Sequence, residues 1–229
     1  MSALCLALVA MTVAFAVGCI MLRRKNKAFE GMLCKVMASF GFISVAVVGY
    51  SINPVDTYYF CIVCFALLFG FCGDILLGIK EIAPTFRGKL VPLGLLYFLV
   101  GHVFHICAFV DRSGFNIYAL IVGVAFGFIG LVILKTMKMK ADGKMSIVLC
   151  FYYAILAYKA ASAFVLAVEE GQPAFWAAFA GACLCMVSDT CLAFLYFTPV
   201  KRKNVFVSVE LSTYYTAQIL LAMSVALLK

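Results

Sequence analysis

Eight long apolar runs dominate this sequence of 229 residues and leave little room for any other kind of fold. A helix that crosses a bilayer needs roughly 20 apolar residues, and each run approaches that length. A backbone in lipid must satisfy its own polar groups, so these runs are expected to be α-helical. The sequence therefore predicts an all-α fold, a polytopic transmembrane helical bundle that forms a single domain over residues 1–229. The eight predicted spans cover approximately residues 3–22, 32–52, 59–79, 90–110, 116–134, 145–168, 174–198 and 205–228.

The composition excludes a soluble domain. Apolar residues make up 66% of the chain and charged residues only 12%, too few to cover the surface of a soluble protein of this size. The net charge of +8 lies in short loops rather than in a patch, so the expected partner is the lipid bilayer and no nucleic acid. The cysteines all fall inside apolar runs, where packing is favoured over metal binding or redox chemistry.

The loop charges predict the orientation. The loops after runs one, three, five and seven hold 4, 3, 4 and 3 Lys or Arg residues, whereas those after runs two, four and six hold 0, 1 and 0. The positive-inside rule places the four basic loops in the cytoplasm and therefore both termini on the non-cytoplasmic side. The chain is thus expected in a membrane, either a bacterial cytoplasmic membrane or a eukaryotic endomembrane.

Seven ionisable side chains lie within the apolar runs, and each is costly in lipid unless it meets a partner or water. They are expected to face inward and to form one polar cavity in the cytoplasmic half of the membrane that reaches the midplane. A functional site is favoured over a set of ion pairs that only fixes helix packing. The seven residues are Lys35, Asp74, His102, His105, Lys159, Asp189 and Glu210.

Helical spacing groups several polar residues on common faces. His102 and His105 share a face with Phe98, and a packing role for His105, bonded to a carbonyl, is as well supported as a functional one. The eighth run carries a polar stripe at four-residue spacing, formed by Glu210, Tyr214 and Gln218.

Small residues flank both buried aspartates. Gly73 precedes Asp74 and Ser188 precedes Asp189, and small residues allow helices to approach closely. The helices that carry the two aspartates are therefore expected to pack together. Because these helices run in the same direction and lie four spans apart, the sequence also predicts a parallel repeat of four helices.

At these residues the chain resembles the YhhN-like lysoplasmalogenases, a family of integral membrane proteins. The resemblance covers nearly the whole chain, with eight spans in the same order. Its pieces are Lys35, the segment 73–77 (GDILL), the segment 98–102 (FLVGH), Gly181 with Ala182, the segment 188–193 (SDTCLA) and the segment 214–218 (YYTAQ).

The resemblance implies a membrane hydrolase that cleaves the vinyl ether bond of a lysoplasmalogen, a lysophospholipid, to a fatty aldehyde and a glycerophospho-base. It implies that Asp74 and Asp189 are the catalytic pair, as two carboxyl groups share acid and base roles in glycoside hydrolysis. The aspartate nearer to a lysine is expected to be the base, and the sequence leaves open which one that is.

The other polar residues receive supporting roles. His102 is expected to relay a proton or orient a carboxylate, and Lys35 to hold the substrate phosphate. We expect no cofactor and no metal ligand. The remaining predicted substrate-binding residues are Lys159, Glu210, Tyr214, Gln218 and Ser188.

Three other classes stay open at this level. A proton-coupled transporter of a small or lipidic substrate also places ionisable residues at mid-membrane. A retinal-type pigment would use Lys159 for a Schiff base, and a metal hydrolase would use His102 and His105 with the aspartates. No dense metal-ligand motif and no strong helix break supports any of the three over the hydrolase.

Overall fold

The computed structural model describes residues 2–136 and 143–229, and the regular structure in these residues is entirely helical. The predicted all-α fold is confirmed. A short 3₁₀ turn, Pro84–Phe86, precedes the fourth α-helix. The α-helices are α1 Ala3–Arg24, α2 Ala28–Ile52, α3 Thr57–Ile82, α4 Arg87–Ser113, α5 Ile117–Thr136, α6 Gly143–Glu170, α7 Pro173–Phe197 and α8 Lys203–Ala226.

Local sequence signals set several helix ends. The side chains of Ser2 and Asp56 each accept a hydrogen bond from a backbone N–H of the first turn that follows, which satisfies a donor that the helix leaves free. Pro173 opens α7, where its missing N–H is not needed. Gly114 ends α4 at a φ of 73°, a left-handed conformation that glycine adopts without strain.

Seven of the helices are long and apolar enough to cross a membrane. The exception is α5, whose apolar stretch within the described residues, Ile117–Ile133, is shorter. Its length lies at the lower limit for a span, so its crossing stays a prediction. The chain is a multi-pass membrane protein by the length and composition of the other seven helices.

Six of the helices form a closed ring in the order α2, α3, α4, α6, α7 and α8, in which each helix packs against the next and α8 returns to α2. Outside this ring, α1 packs against α2 and α8. In the part of the chain that the structure describes, α5 packs against α6 alone. Side chains that reach across the ring are thereby shielded from lipid.

The packing pattern repeats between the two halves of the chain. Helix pairs α1–α2, α2–α3 and α3–α4 pack in the first half, as α5–α6, α6–α7 and α7–α8 do in the second. The contact of α2 with α8 has its counterpart in the contact of α6 with α4. The predicted repeat of four helices is supported at the level of helix pairing, with two exceptions. Helix α8 also packs against α1 and α3, whereas α4 packs against neither α5 nor α7 among the described residues.

One arginine links several helices of the ring at the end opposite the basic loops. Arg112, near the end of α4, forms ion pairs with Asp56 before α3 and with Glu170 at the end of α6. Its guanidinium also lies 5.0 Å from the ring centroid of Phe175 on α7. The one basic residue of the fourth loop thus joins the ends of four helices.

The orientation predicted from the loop charges is testable with reporters. A reporter fused after Lys229 is expected on the non-cytoplasmic side, and one inserted near Lys140, which lies outside the described residues, is expected in the cytoplasm. A protease-protection or glycosylation assay would read both positions. A cytoplasmic C-terminus would require an odd number of spans and would contradict the eight-span interpretation.

Candidate active site

All seven ionisable residues of the apolar runs are buried, with exposed fractions between 0% for Lys159 and 8% for Asp189. They face other helices and not lipid, as the cost of a charge in hydrocarbon requires. The structure arranges five of them in two hydrogen-bonded clusters, whereas the sequence predicted one cavity. Glu210 and His105 lie outside both clusters.

The first cluster surrounds Asp74 on α3. Its Oδ2 accepts hydrogen bonds from Ser39 Oγ on α2 at 2.6 Å and from Tyr214 OH on α8 at 2.8 Å. Its Oδ1 lies 3.0 Å from Lys35 Nζ, an ion pair between two side chains that are almost fully buried. The Asp74 carboxylate is therefore held by two hydroxyl donors on one oxygen and a cation on the other.

The second cluster surrounds Asp189 on α7. Its Oδ2 lies 2.9 Å from His102 Nε2 on α4 and accepts a hydrogen bond from Tyr152 OH on α6 at 2.7 Å. Lys159, which is also on α6, contacts the other side of the histidine: its Nζ lies 3.1 Å from His102 Nδ1. Since the lysine amino group donates to Nδ1, the Nε2–H of a neutral imidazole donates to Asp189.

The two clusters differ at the second carboxyl oxygen. For Asp74 that oxygen faces the Lys35 amino group. The described hydrogen bonds to Asp189 all end on Oδ2, so Oδ1 is left for a further partner. Asp189 is also the more exposed of the two aspartates, at 8% against 1%. The two carboxyl groups therefore have different surroundings.

The two clusters also share several features. Each aspartate lies eight residues before the last residue of its helix, Ile82 or Phe197, and hence about 12 Å from that end. Each receives a tyrosine hydroxyl, and each is completed by the fourth helix of the other half: α8 supplies Tyr214 to Asp74, and α4 supplies His102 to Asp189. The two clusters, called the acidic centres from here on, therefore lie at the same distance from the ends of α3 and α7.

The small residues on the two helices that carry the aspartates pack against helices other than those predicted. A Cβ added to Gly73 would lie 2.8 Å from the ring of Phe98 on α4, and one added to Gly181 would lie 3.0 Å from a backbone oxygen of α8. In the described residues α3 and α7 make no direct contact, so the prediction that they pack together is wrong. The small faces instead bring each aspartate helix close to α4 or α8, the helices that carry the aspartates' partners.

Aromatic rings join the two clusters. The ring of Phe98 packs edge-on against that of Tyr214, with centroids 5.7 Å apart. Phe98 precedes His102 by one turn of α4, while the Tyr214 hydroxyl reaches Asp74. A molecule that touched both rings would therefore lie between the two acidic centres.

The polar stripe on α8 faces the protein interior along its length. Glu210 lies 3.8 Å from Arg23 on α1, and its backbone oxygen accepts a hydrogen bond from Ser188 Oγ at 3.1 Å. Ser188 is thus engaged in joining α7 to α8. Gln218 is buried near Gly70, and its Oε1 has no hydrogen-bond partner among the described residues.

A cavity of about 270 Å³ lies at the predicted cytoplasmic end, beneath the first cluster. Lys35 lines it together with Arg23 and Lys203, and Asp74 lies directly behind Lys35. The sequence indicates only a topology role for Arg23 and Lys203, and their place at this cavity follows from the tertiary structure.

Two hydrogen-bond donors to the aspartates were also missed. Ser39 follows Lys35 by four residues, and Tyr152 precedes Lys159 by seven, so each shares a helix face with a buried lysine. The helical spacing from a buried lysine was therefore the feature of the sequence that could have identified both donors.

His105 takes the packing role. Its Nδ1 lies 3.0 Å from the carbonyl oxygen of Gly101, one turn earlier on the same helix. Its ring packs beside Phe109. A histidine bonded to its own helix in this way supports α4 and belongs to neither acidic centre.

Comparison with known proteins agrees with the resemblance of the motifs. A family model described as the YhhN family matches residues 32–225, which includes both clusters and seven of the helices in whole or large part. No curated protein and no solved structure matches the chain.

Proposed function

The chain belongs to the YhhN family, and on that premise we propose that it is a lysoplasmalogenase-like hydrolase that cleaves the vinyl ether bond of lysoplasmalogens. The family includes hydrolases. The observation that carries the proposal is the pair of buried aspartates, each of which accepts hydrogen bonds from a tyrosine hydroxyl and from a second side chain. Buried carboxyl groups with different surroundings are what acid–base catalysis requires.

The reaction needs a proton donor and a water molecule. Protonation of the vinyl carbon distant from the ether oxygen gives an oxocarbenium ion, and water then adds to the carbon bonded to oxygen. The hemiacetal that forms loses a proton and collapses to a fatty aldehyde and the glycerophospho-base alcohol. The proton used in the first step is returned in the later ones, so water is the sole co-reactant.

The surroundings of the two carboxyl groups support a division of roles. We assign the acid to Asp189, whose Oδ2 accepts from His102 and Tyr152 while Oδ1 is left to carry and deliver the proton. We assign the base to Asp74, because the Lys35 amino group at 3.0 Å favours its ionised form. The aspartate nearer to a lysine is then the base, as the sequence reasoning required.

His102 has a positioning role in this scheme. Its Nδ1 is held by Lys159, which leaves the Nε2–H directed at Asp189. A fixed orientation of the imidazole keeps the Asp189 carboxyl group turned toward the interior of the helix ring. Lys159 acts through His102 and is not expected to touch the substrate.

One observation favours a second candidate, a proton-coupled transporter. The helix pairing repeats between the two halves, an arrangement that many transporters share, and ionisable groups lie at the interface of the repeats. Such a protein would move its substrate and release it unchanged.

Incubation of the purified protein with a lysoplasmalogen separates the two candidates. The hydrolase releases a fatty aldehyde and a glycerophospho-base in equal amounts, which mass spectrometry detects. A matched 1-O-alkyl lysophospholipid, which lacks the double bond, is expected to stay intact because it cannot be protonated at carbon. Uptake into proteoliposomes without any aldehyde would favour the transporter and reject the hydrolase.

Substitution of Lys35 by methionine is expected to lower kcat roughly tenfold or more, with a changed pH profile, because the base Asp74 loses its cationic partner. KM is expected to change less. The exposed Lys25 in the turn after α1 offers the matched control, and Lys25→Met is expected to leave both constants unchanged. A large rise in KM with an unchanged kcat would instead make Lys35 the phosphate ligand.

A further inference from the structure

The cytoplasmic cavity has features that the acid–base chemistry does not use. It opens where α2 and α8 begin, since residues of both first turns line it. Lys35, seven residues into α2 and hence about 10 Å deeper, lines its inner part. The cavity therefore leads from the end of the bundle to the first acidic centre.

Two helix N-termini at this cavity lack side-chain caps. Neither Lys27 before α2 nor Arg202 before α8 provides a capping hydrogen bond, in contrast to Ser2 and Asp56 before α1 and α3. The first backbone N–H groups of a helix have no partner within it. In α8 the N–H of Val205 bonds to the carbonyl of Arg202, so Lys203 and Asn204 offer the free groups. Together with the helix dipole they favour an anion.

The side chains of the cavity supply positive charge that is only partly balanced. Arg23 forms an ion pair with Glu81 at 2.8 Å, and both line the cavity. A second, longer pair joins Arg23 to Glu210 at 3.8 Å. Lys203 also lines it and has no ion pair within residues 2–136 and 143–229. Lys203 is exposed, so its amino group is available to a ligand.

We propose that this cavity is an anion site that holds the phosphate diester of a lysophospholipid, with Lys203 and the first-turn N–H groups of α2 and α8 as donors. The inference rests on the proposed function for the identity of the lipid. A lipid held there has its headgroup at the membrane surface, and its glycerol ether points past Lys35 toward Asp74. Lys35 then serves Asp74, and the phosphate is bound by residues nearer the surface.

Binding of a non-cleavable ligand tests the site without any need for turnover. The probe is a 1-O-alkyl lysophospholipid, measured by equilibrium binding to the full chain in nanodiscs. Lys203→Gln is expected to weaken binding about tenfold, because a charge-assisted hydrogen bond is lost. Asn204→Asp is expected to weaken it as well, by placing a carboxylate at the cavity. A carboxylate in the first turn of α8 favours the helix, so poor folding would not explain that loss.

The controls separate a headgroup from a free anion. The exposed Lys25 lies outside the cavity lining, and Lys25→Gln is expected to bind the probe as the unchanged chain does. A 1-O-alkylglycerol without phosphate is expected to bind equally to the unchanged chain and to Lys203→Gln. Inorganic phosphate that bound as tightly as the lysolipid would overturn the assignment to a headgroup.

The outcomes also distinguish this site from the catalytic proposal. Probe binding that depends on phosphate and on Lys203, with no aldehyde formed from lysoplasmalogen, would support the site and reject the hydrolase. Aldehyde release with a KM unchanged in both Lys203→Gln and Asn204→Asp would support the hydrolase and overturn the site.

Discussion

Replacement of Asp189 by asparagine is expected to lower kcat by roughly 10²–10⁴-fold, because it removes a positioned proton donor. The amide keeps the shape of the side chain, and its oxygen still accepts from Tyr152 and His102. The melting temperature is therefore expected to change little. Aldehyde release under steady-state conditions, together with thermal unfolding in detergent, measures both quantities.

Replacement of Asp74 by asparagine is expected to have an effect of the same size, since the base and the acid act on one substrate. The double variant is then expected to be hardly slower than either single one, because residues that act as a unit are not additive. Asp111, an exposed aspartate near the end of α4, provides the matched control, and Asp111→Asn is expected to keep full activity.

Full activity in the asparagine variants would show that the reaction does not need the two carboxyl groups. Losses that simply multiply in the double variant would show that the two carboxyl groups act independently, and the single-site assignment would then be wrong. A loss of activity that followed a loss of folded protein would reduce both aspartates to a packing role.

Replacement of His102 by leucine is expected to destabilise the fold by about 1–3 kcal/mol, because the buried amino group of Lys159 loses a hydrogen-bond acceptor. Lys159 is fully buried, and its amino group bonds to His102 Nδ1 and also to the side chain of Cys185. Thermal or denaturant unfolding of the protein in detergent measures the change. Activity is expected to fall as well, because Asp189 loses one of the two donors that orient it.

A double variant tests the cause of that loss. Lys159→Met in the His102→Leu background is expected to restore much of the stability without restoring activity, because it removes the amino group that lost an acceptor. The matched control is His105→Leu, a buried histidine of the same helix that bonds only to the Gly101 carbonyl among described residues. A double variant no more stable than His102→Leu would mean that Lys159 does not depend on His102.

The sequence by itself determined the helices and which residues they bury. Apolar runs of membrane length must be helical, and the cost of a charge in lipid requires residues such as Asp74 and Asp189 to face inward. The periodicity of one helix also predicted which residues share its face, so the buried stripe at Glu210, Tyr214 and Gln218 follows from their four-residue spacing alone.

Only the tertiary structure decided which faces meet. Spacing along one helix carries no information about its rotation or its neighbours, which packing among all the helices determines. The sequence therefore predicted that the small residues of α3 and α7 pack against each other, although they pack against α4 and α8. The pairing of Lys35 with Asp74 and of Lys159 with His102 depends on contacts between helices that are distant in sequence. The cavity between the first turns of α2 and α8 exists for the same reason, because the ring closes where those two helices meet.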